Sequence, residues 1–227
     1  MVEVYAIKIN TPIEDEMLSY LISHTSYEKQ ERLSKLYFEE DVKRTLYGDL
    51  LVRHLACEKL NILNDEVIFE YNEFSKPFLR NNPNFKFNIS HSGDFVVCAI
   101  GKEDIGIDIE QIKPIDLNIA KQFFSENEYQ DLISKPDELR LKYFYDLWTL
   151  KESFIKCIGK GMAIPLNSFY VSITKNQITI RSNSLYQVHF RQFFLDENYK
   201  LSICSKDNCF VDDVKIENIT NIIDRLV

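Results

Sequence analysis

The chain has 227 residues, 45% of them hydrophobic and 13% aromatic, enough to bury one substantial core or two packed together. A formal charge of -8 argues against nucleic acid as a partner, since a phosphate backbone is gripped by clustered Lys and Arg; an anionic ligand requires a local exception. The longest purely apolar run, Phe95 to Ile100, falls far short of the ~20 residues that span a bilayer, and the start MVEVYAIKIN lacks a leader pattern. A cytoplasmic protein with no membrane partner is expected, and five scattered cysteines without a CxxC pair fit reduced packing there.

In chain order, Val2 to Ile9 alternates as a strand. Glu28 to Leu60 carries helical spacing in which Leu33, Leu36, Tyr37, Leu46, Leu50 and Leu55 share a buried face, with Gly48 a weak spot. Val67 to Tyr71, Phe85 to Ile89 and Phe95 to Ile100 read as strands, the last two joined by the turn SHSGD. A second round begins with a strand from Ile105 to Glu110. A helix opens near Ser125, and a longer one runs from about Leu139 to Ile158, stopped by Gly159 and by Pro165 beyond it. Strands follow at Phe169 to Ile173, Ile178 to Arg181, Gln187 to Phe194 and Lys200 to Cys204. The expected class is α+β, with two similar α/β halves, residues 1–104 and 105–227.

In the strand IGIDIE, Ile105, Ile107 and Ile109 point into the core while Asp108 and Glu110 emerge together on the other face. Their mutual repulsion, about 2.5 kcal/mol at an effective dielectric near 20, wants a counter-charge. In LWTLKESFIKCIGKG, Trp148, Glu152 and Lys156 lie along one helical stripe, which brings a third carboxylate with an ammonium one turn away. A polar strand face and an i,i+4 Glu–Lys pair remain the plain alternatives for each motif alone. Three carboxylates without a Cys or His cluster favour a hard ion, Mg²⁺ first, that shares its ligands with a phosphate. Ser90, His91 and Ser92 in FNISHSG read as a polar turn, and neither a P-loop nor a GxGxxG motif occurs.

FNISHSG, IGIDIE and LWTLKESFIKCIGKGM, in this order and spacing, resemble the signatures of 4′-phosphopantetheinyl transferases. ERLSKLYFEEDVKRTLYGDLLVR, SKPFL and IAKQFFSENEY resemble the type that activates surfactin synthetase. The resemblance implies two halves related by a pseudo-twofold axis, a site in the cleft between them, and a monomer. The implied reaction is transfer of the phosphopantetheine arm of coenzyme A to a serine of an acyl or peptidyl carrier protein. By the same resemblance Asp108, Glu110 and Glu152 hold Mg²⁺, with Mn²⁺ the alternative, and Asp108, Glu152 and Lys156 serve catalysis. Either Glu152 or a metal-bound water acts as base.

Lys29, Arg32, Arg44, Thr45, Lys76, Ser90 and His91, together with Asp108 and Lys156, match the positions that bind coenzyme A. The first half would grip the adenosine phosphates and the second would carry the metal and dock the carrier. Many relatives have glycine where Ser75 precedes Lys76-Pro77; a positive φ there would strain serine. Glu128, three residues after Ser125, reads as half of a capping box. Phe123, Phe124 and Tyr129 read as core or as docking surface. A metal-dependent phosphohydrolase or nucleotidyltransferase, and a non-catalytic carrier-binding module, are the rival functions.

Overall fold

In the computed structural model, which describes residues 1–9, 14–23, 25–175, 177–182 and 184–226, each half opens with one strand, runs through helices and closes with strands. The first half holds β1 (Glu3–Lys8), α1 (Asp15–Ser23), α2 (Tyr27–Ser34), α3 (Glu39–Leu60), β2 (Phe69–Tyr71), β3 (Pro77–Leu79), β4 (Lys86–Ser92) and β5 (Phe95–Gly101). The second holds β6 (Ile105–Gln111), α4 (Ala120–Phe123), α5 (Glu126–Ser134), α6 (Asp137–Ile158), β7 (Phe169–Ile173), β8 (Ile178–Ser182), β9 (His189–Phe193) and β10 (Tyr199–Ser205). The sheets run β1-β5-β4 and β6-β10-β9, antiparallel throughout: first strand, last strand, penultimate strand in both. A two-stranded hairpin, β2-β3 or β7-β8, follows the long helix each time.

Two stretches differ from expectation. Residues 28–60 form two helices instead of one, and Tyr37, expected in the buried face, is 92% exposed between them. Three acids, Glu39, Glu40 and Asp41, fill the first turn of α3, where the helix dipole favours negative charge, so the chain restarts there. At the other end, residues 215–226 leave the second half. β11 (Lys215–Glu217) pairs in parallel with β1, and α7 (Ile219–Leu226) buries Ile219, Ile222 and Ile223 in the core of the first half.

The result is four layers. One face of the first sheet packs under α3 and α7 through Tyr5, Ile7, Val96 and Cys98. Its other face, with Val4, Ala6, Val97 and Ala99, meets Ile105, Ile107, Ile109, Leu201 and Ile203 of the second sheet. Those three isoleucines are fully buried, as their alternation predicts. The far face of the second sheet lies under α6. A Cβ on Gly106 would stand 2.0 Å from the Ser153 carbonyl oxygen and 2.3 Å from the Cys157 nitrogen, so only glycine admits the helix this close.

Candidate active site

Where the edges of the two sheets meet, β4 and β6 run side by side without a backbone ladder. Instead, alternate side chains of β4 take the β6 amides: Asn88 Oδ1 accepts from Ile107 N at 2.9 Å, Ser90 Oγ from Ile109 N at 3.4 Å, and Ser92 Oγ from Gln111 N at 3.0 Å. The segment expected as a polar turn is therefore strand as far as Ser92. Only Gly93 and Asp94 make the turn, with Gly93 at φ +53°. Both halves clamp this turn, since Arg44 Nη1 donates to the Gly93 carbonyl at 2.9 Å and Asp94 N donates to the Tyr199 hydroxyl at 2.9 Å.

The same face of β6 carries the carboxylates. Asp108 was expected to emerge from the sheet but is 3% exposed, because Gly106 lets α6 close over it. Its Oδ1 accepts from Lys156 Nζ at 2.6 Å and from Ser90 Oγ at 3.0 Å, while its Oδ2 is buried with no hydrogen-bond partner. Glu110 accepts from Ser92 Oγ at 2.8 Å. Asp108, Glu110 and Glu152 line one cavity of about 400 Å³, with Ser90, His91, Trp148 and Lys156 around them.

Crowding three acids out of water raises their pKa values. Burial lifts Asp108, against the pull of Lys156 and Ser90. Burial and then the Asp108 charge lift Glu110, and the same two causes push Glu152 up to about 7. Among the described residues no three His, Cys, Asp or Glu side chains stand close enough, as placed, to hold an ion. The Lys156 ammonium stands against Asp108 instead. The donor set nevertheless fits a hard cation: all oxygen, with one buried carboxylate oxygen lacking any partner and the other two acids half-exposed on the same cavity.

Ile89 and His91 also line a second cavity, of about 220 Å³, which adjoins the acid cavity. Lys29, Arg32, Arg44, Thr45 and His91 surround this groove, whose walls include Phe69, Tyr71 and Phe87. It supplies the local cationic surface that the acidic chain required. The cations are held in place: Lys29 Nζ lies 3.3 Å from Asp49, and Arg44 Nη2 lies 2.7 Å from Asp41. Burial lowers the Lys29 pKa, while desolvation and then the Arg44 and Lys156 charges lower that of His91.

Lys76 is not brought to the groove. Its ammonium donates to the carbonyls of Ile105 at 3.0 Å and Cys157 at 3.1 Å, on the wall of a different cavity. The preceding Ser75 does take the left-handed conformation, φ +65°. A larger cavity of about 720 Å³ opens elsewhere, beside Glu3, Lys59 and Asn82, and contains none of the residues assembled here.

The capping box at Ser125 and Glu128 forms, with a second role the sequence reading lacks: both Glu128 oxygens accept from Lys151 Nζ at 2.6 Å, and both side chains are buried. Phe124 is buried, and Phe123 packs edge-on against Trp148 at 5.5 Å, so these aromatics brace the cavity wall. Asn88 and Ser92 are further residues the reading missed. Their signal was the period-two polar pattern Asn-x-Ser-x-Ser, hidden when its second half is taken for a turn.

Two family profiles match the chain: 4′-phosphopantetheinyl transferase superfamily over residues 104–204, and 4′-phosphopantetheinyl transferase, N-terminal, over residues 11–103. The 4′-phosphopantetheinyl transferase Sfp of Bacillus subtilis (strain 168) is 39% identical over 214 residues, 93% of this chain and 96% of that protein. The 4′-phosphopantetheinyl transferase gsp of Aneurinibacillus migulanus is 40% identical over 227 residues, 98% of this chain and 95% of that one. A solved holo-(acyl-carrier-protein) synthase from Bacillus anthracis, in complex with CoA, aligns at 16% identity with a TM-score of 0.41, over 45% of this chain and 93% of its own. The chain belongs to the 4′-phosphopantetheinyl transferase family, and within it to the Sfp type.

Proposed function

We propose that the cavity between β4, β6 and α6 is the centre at which this transferase moves the 4′-phosphopantetheine group of coenzyme A onto a serine of a carrier protein. One observation supports it above the rest: three carboxylates, one with an unpartnered buried oxygen, line a cavity that shares Ile89 and His91 with a cationic groove with aromatic walls. Lys29, Arg32, Arg44, Thr45, Ser90 and His91 hold the adenosine bisphosphate end of coenzyme A. Asp108, Glu110 and Glu152 hold a divalent ion, Mg²⁺ or Mn²⁺, which when bound neutralises charge on the diphosphate.

The serine hydroxyl oxygen bonds to the phosphorus next to the pantetheine, and the bond from that phosphorus to the bridging oxygen breaks. Adenosine 3′,5′-bisphosphate leaves with the electron pair. Glu152 takes the serine proton, and Lys156 stabilises the leaving phosphate. The acyl or peptidyl carrier docks beside the second half, and the enzyme works as a cytoplasmic monomer.

Asp108→Ala tests the centre. Transfer falls by at least about 10³-fold, read as loss of mass gain on an apo-carrier incubated with coenzyme A and Mg²⁺. The fold survives with lowered stability: the replacement breaks the ion pair with Lys156, but that ammonium is 28% exposed and keeps its bonds to the Ser90 hydroxyl and the Ile107 carbonyl. Near-normal transfer by this variant would overturn the assignment. Release of adenosine bisphosphate by the wild-type enzyme without mass gain on the carrier would point to hydrolysis instead.

A further inference from the structure

The β4 ladder ends on a residue to which neither the family resemblance nor the reaction gives a task. Ser92 Oγ accepts the Gln111 amide at 3.0 Å, which uses one of its lone pairs and fixes where its own proton can point. That proton goes to Glu110 Oε2, at 2.8 Å. Ser90 does the same one rung earlier, accepting from Ile109 N and donating to Asp108 Oδ1. Asn88, the first rung, accepts from Ile107 N, and the β6 residue before that amide is Gly106, where Ser90 and Ser92 meet Asp108 and Glu110.

The strand carrying Ser92 cannot drift. The turn just after it is tied to α3 by Arg44 and to β10 by the Tyr199 hydroxyl, and a Cβ on Gly93 would lie 2.3 Å from that hydroxyl. A side chain from the first half thus sets the direction of a carboxylate carried by the second. One Glu110 oxygen is engaged by the serine, which leaves the other for the cavity.

We propose that Ser92 is the positioning residue for Glu110, orienting its carboxylate toward the ion shared with Asp108 and Glu152. The inference rests on the divalent site proposed above. Hydrogen bonds of this kind, from a neighbour to a ligating carboxylate, typically alter metal affinity by 10-fold or more when removed.

Isothermal titration calorimetry of Mg²⁺ into the enzyme saturated with coenzyme A tests it, on wild type, Ser92→Ala and Ser92→Thr, with thermal unfolding of each run alongside. Ser92→Ala weakens Mg²⁺ binding about tenfold, and the Mg²⁺ concentration for half-maximal transfer rises in step. Ser92→Thr, which keeps the hydroxyl, restores both to within about threefold of wild type. A purely structural serine would lower the unfolding temperature of Ser92→Ala and leave its Mg²⁺ affinity unchanged; that result overturns the proposal while the divalent site stands. Equal loss of affinity in both variants also overturns it. Absence of Mg²⁺ binding by the wild-type complex would instead remove the divalent site itself.

Discussion

In the first half, the strand face that looks toward the long helix carries Tyr5 and Ile7, both in the core; in the second half the matching face of β6 carries Gly106, Asp108 and Glu110. The sheets have the same order and the long helices the same length, 22 residues each. What differs is how helix and sheet approach. In the first half the glycine is on the helix: a Cβ at Gly48 would meet the Ile89 and Val96 side chains at 3.2 Å and 3.6 Å, the first a tight contact and the second an ordinary one, both with apolar side chains and not backbone. In the second half the glycine is on the strand, and what the missing side chain lets in is the backbone of α6, which places Glu152 and Lys156 over Asp108. The same topology therefore yields a filled core in one half and, in the other, a cavity in which like charges are held out of water.

Exchanging glycine for alanine in each half sharpens that contrast most. Gly106→Ala sets a methyl group against helix backbone that cannot turn aside, and at least ~3 kcal/mol of stability is lost in urea unfolding. Gly48→Ala meets the γ2 methyl of Ile89, a side chain that has to give by only a few tenths of an ångström, and gains helix propensity, so its change stays within ~1 kcal/mol. Equal effects at the two sites would show that the halves pack alike after all.

The next test takes the charges. The Glu152 carboxyl binds its proton up to about pH 7 in the folded chain, against an ordinary value of 4.5. Between those limits the folded state holds more proton than the unfolded one, so the stabilisation present below pH 4.5 is lost as pH rises through about 7. Glu152→Gln, measured with a chelator present, is more stable than wild type at pH 8 by about 1–3 kcal/mol, allowing for partial solvation of the site. The gap closes as pH falls to 4.5. A gap independent of pH would trace the gain to packing. Mg²⁺ added to the wild type offsets the same repulsion and narrows the gap at pH 8.

Much of this was legible in the residues. Alternation in IGIDIE placed three isoleucines in the core, and helical spacing put Trp148, Glu152 and Lys156 on one stripe, because both patterns depend only on backbone periodicity. The burial of Asp108 was not legible, since it follows from α6 lying on Gly106, a contact between segments about 50 residues apart. Nor was the return of β11 and α7 to the first half, where Ile219, Ile222 and Ile223 find their partners in a sheet laid down at the chain's start. Lys76 shows the limit of carrying a role across by position: the residue type matches, but its ammonium is engaged by the carbonyls at the end of α6 and the start of β6.

That engagement passes through a strained turn, which gives the smallest test. Ser75 is exposed, at φ +65°, and its N–H donates to the Asn72 carbonyl at 2.9 Å. The Asn72 side chain in turn accepts from Lys76 N at 2.8 Å and donates to the Gly159 carbonyl at 2.9 Å, so the turn fastens the first half onto the end of the second half's helix. A non-glycine residue in the left-handed region costs about 1–2 kcal/mol, while glycine frees the unfolded chain by about 0.4–1 kcal/mol. Ser75→Gly should therefore stabilise by about 0.5 kcal/mol, near the resolution of paired urea titrations. Because the contacts that place Lys76 come from Asn72, Ile105 and Cys157 and none from the serine hydroxyl, the KM for coenzyme A stays within about twofold. A larger shift in KM would mean that the turn, and with it Lys76, moves toward the groove during the reaction, making the grip of the first half on the second a working part of the cycle.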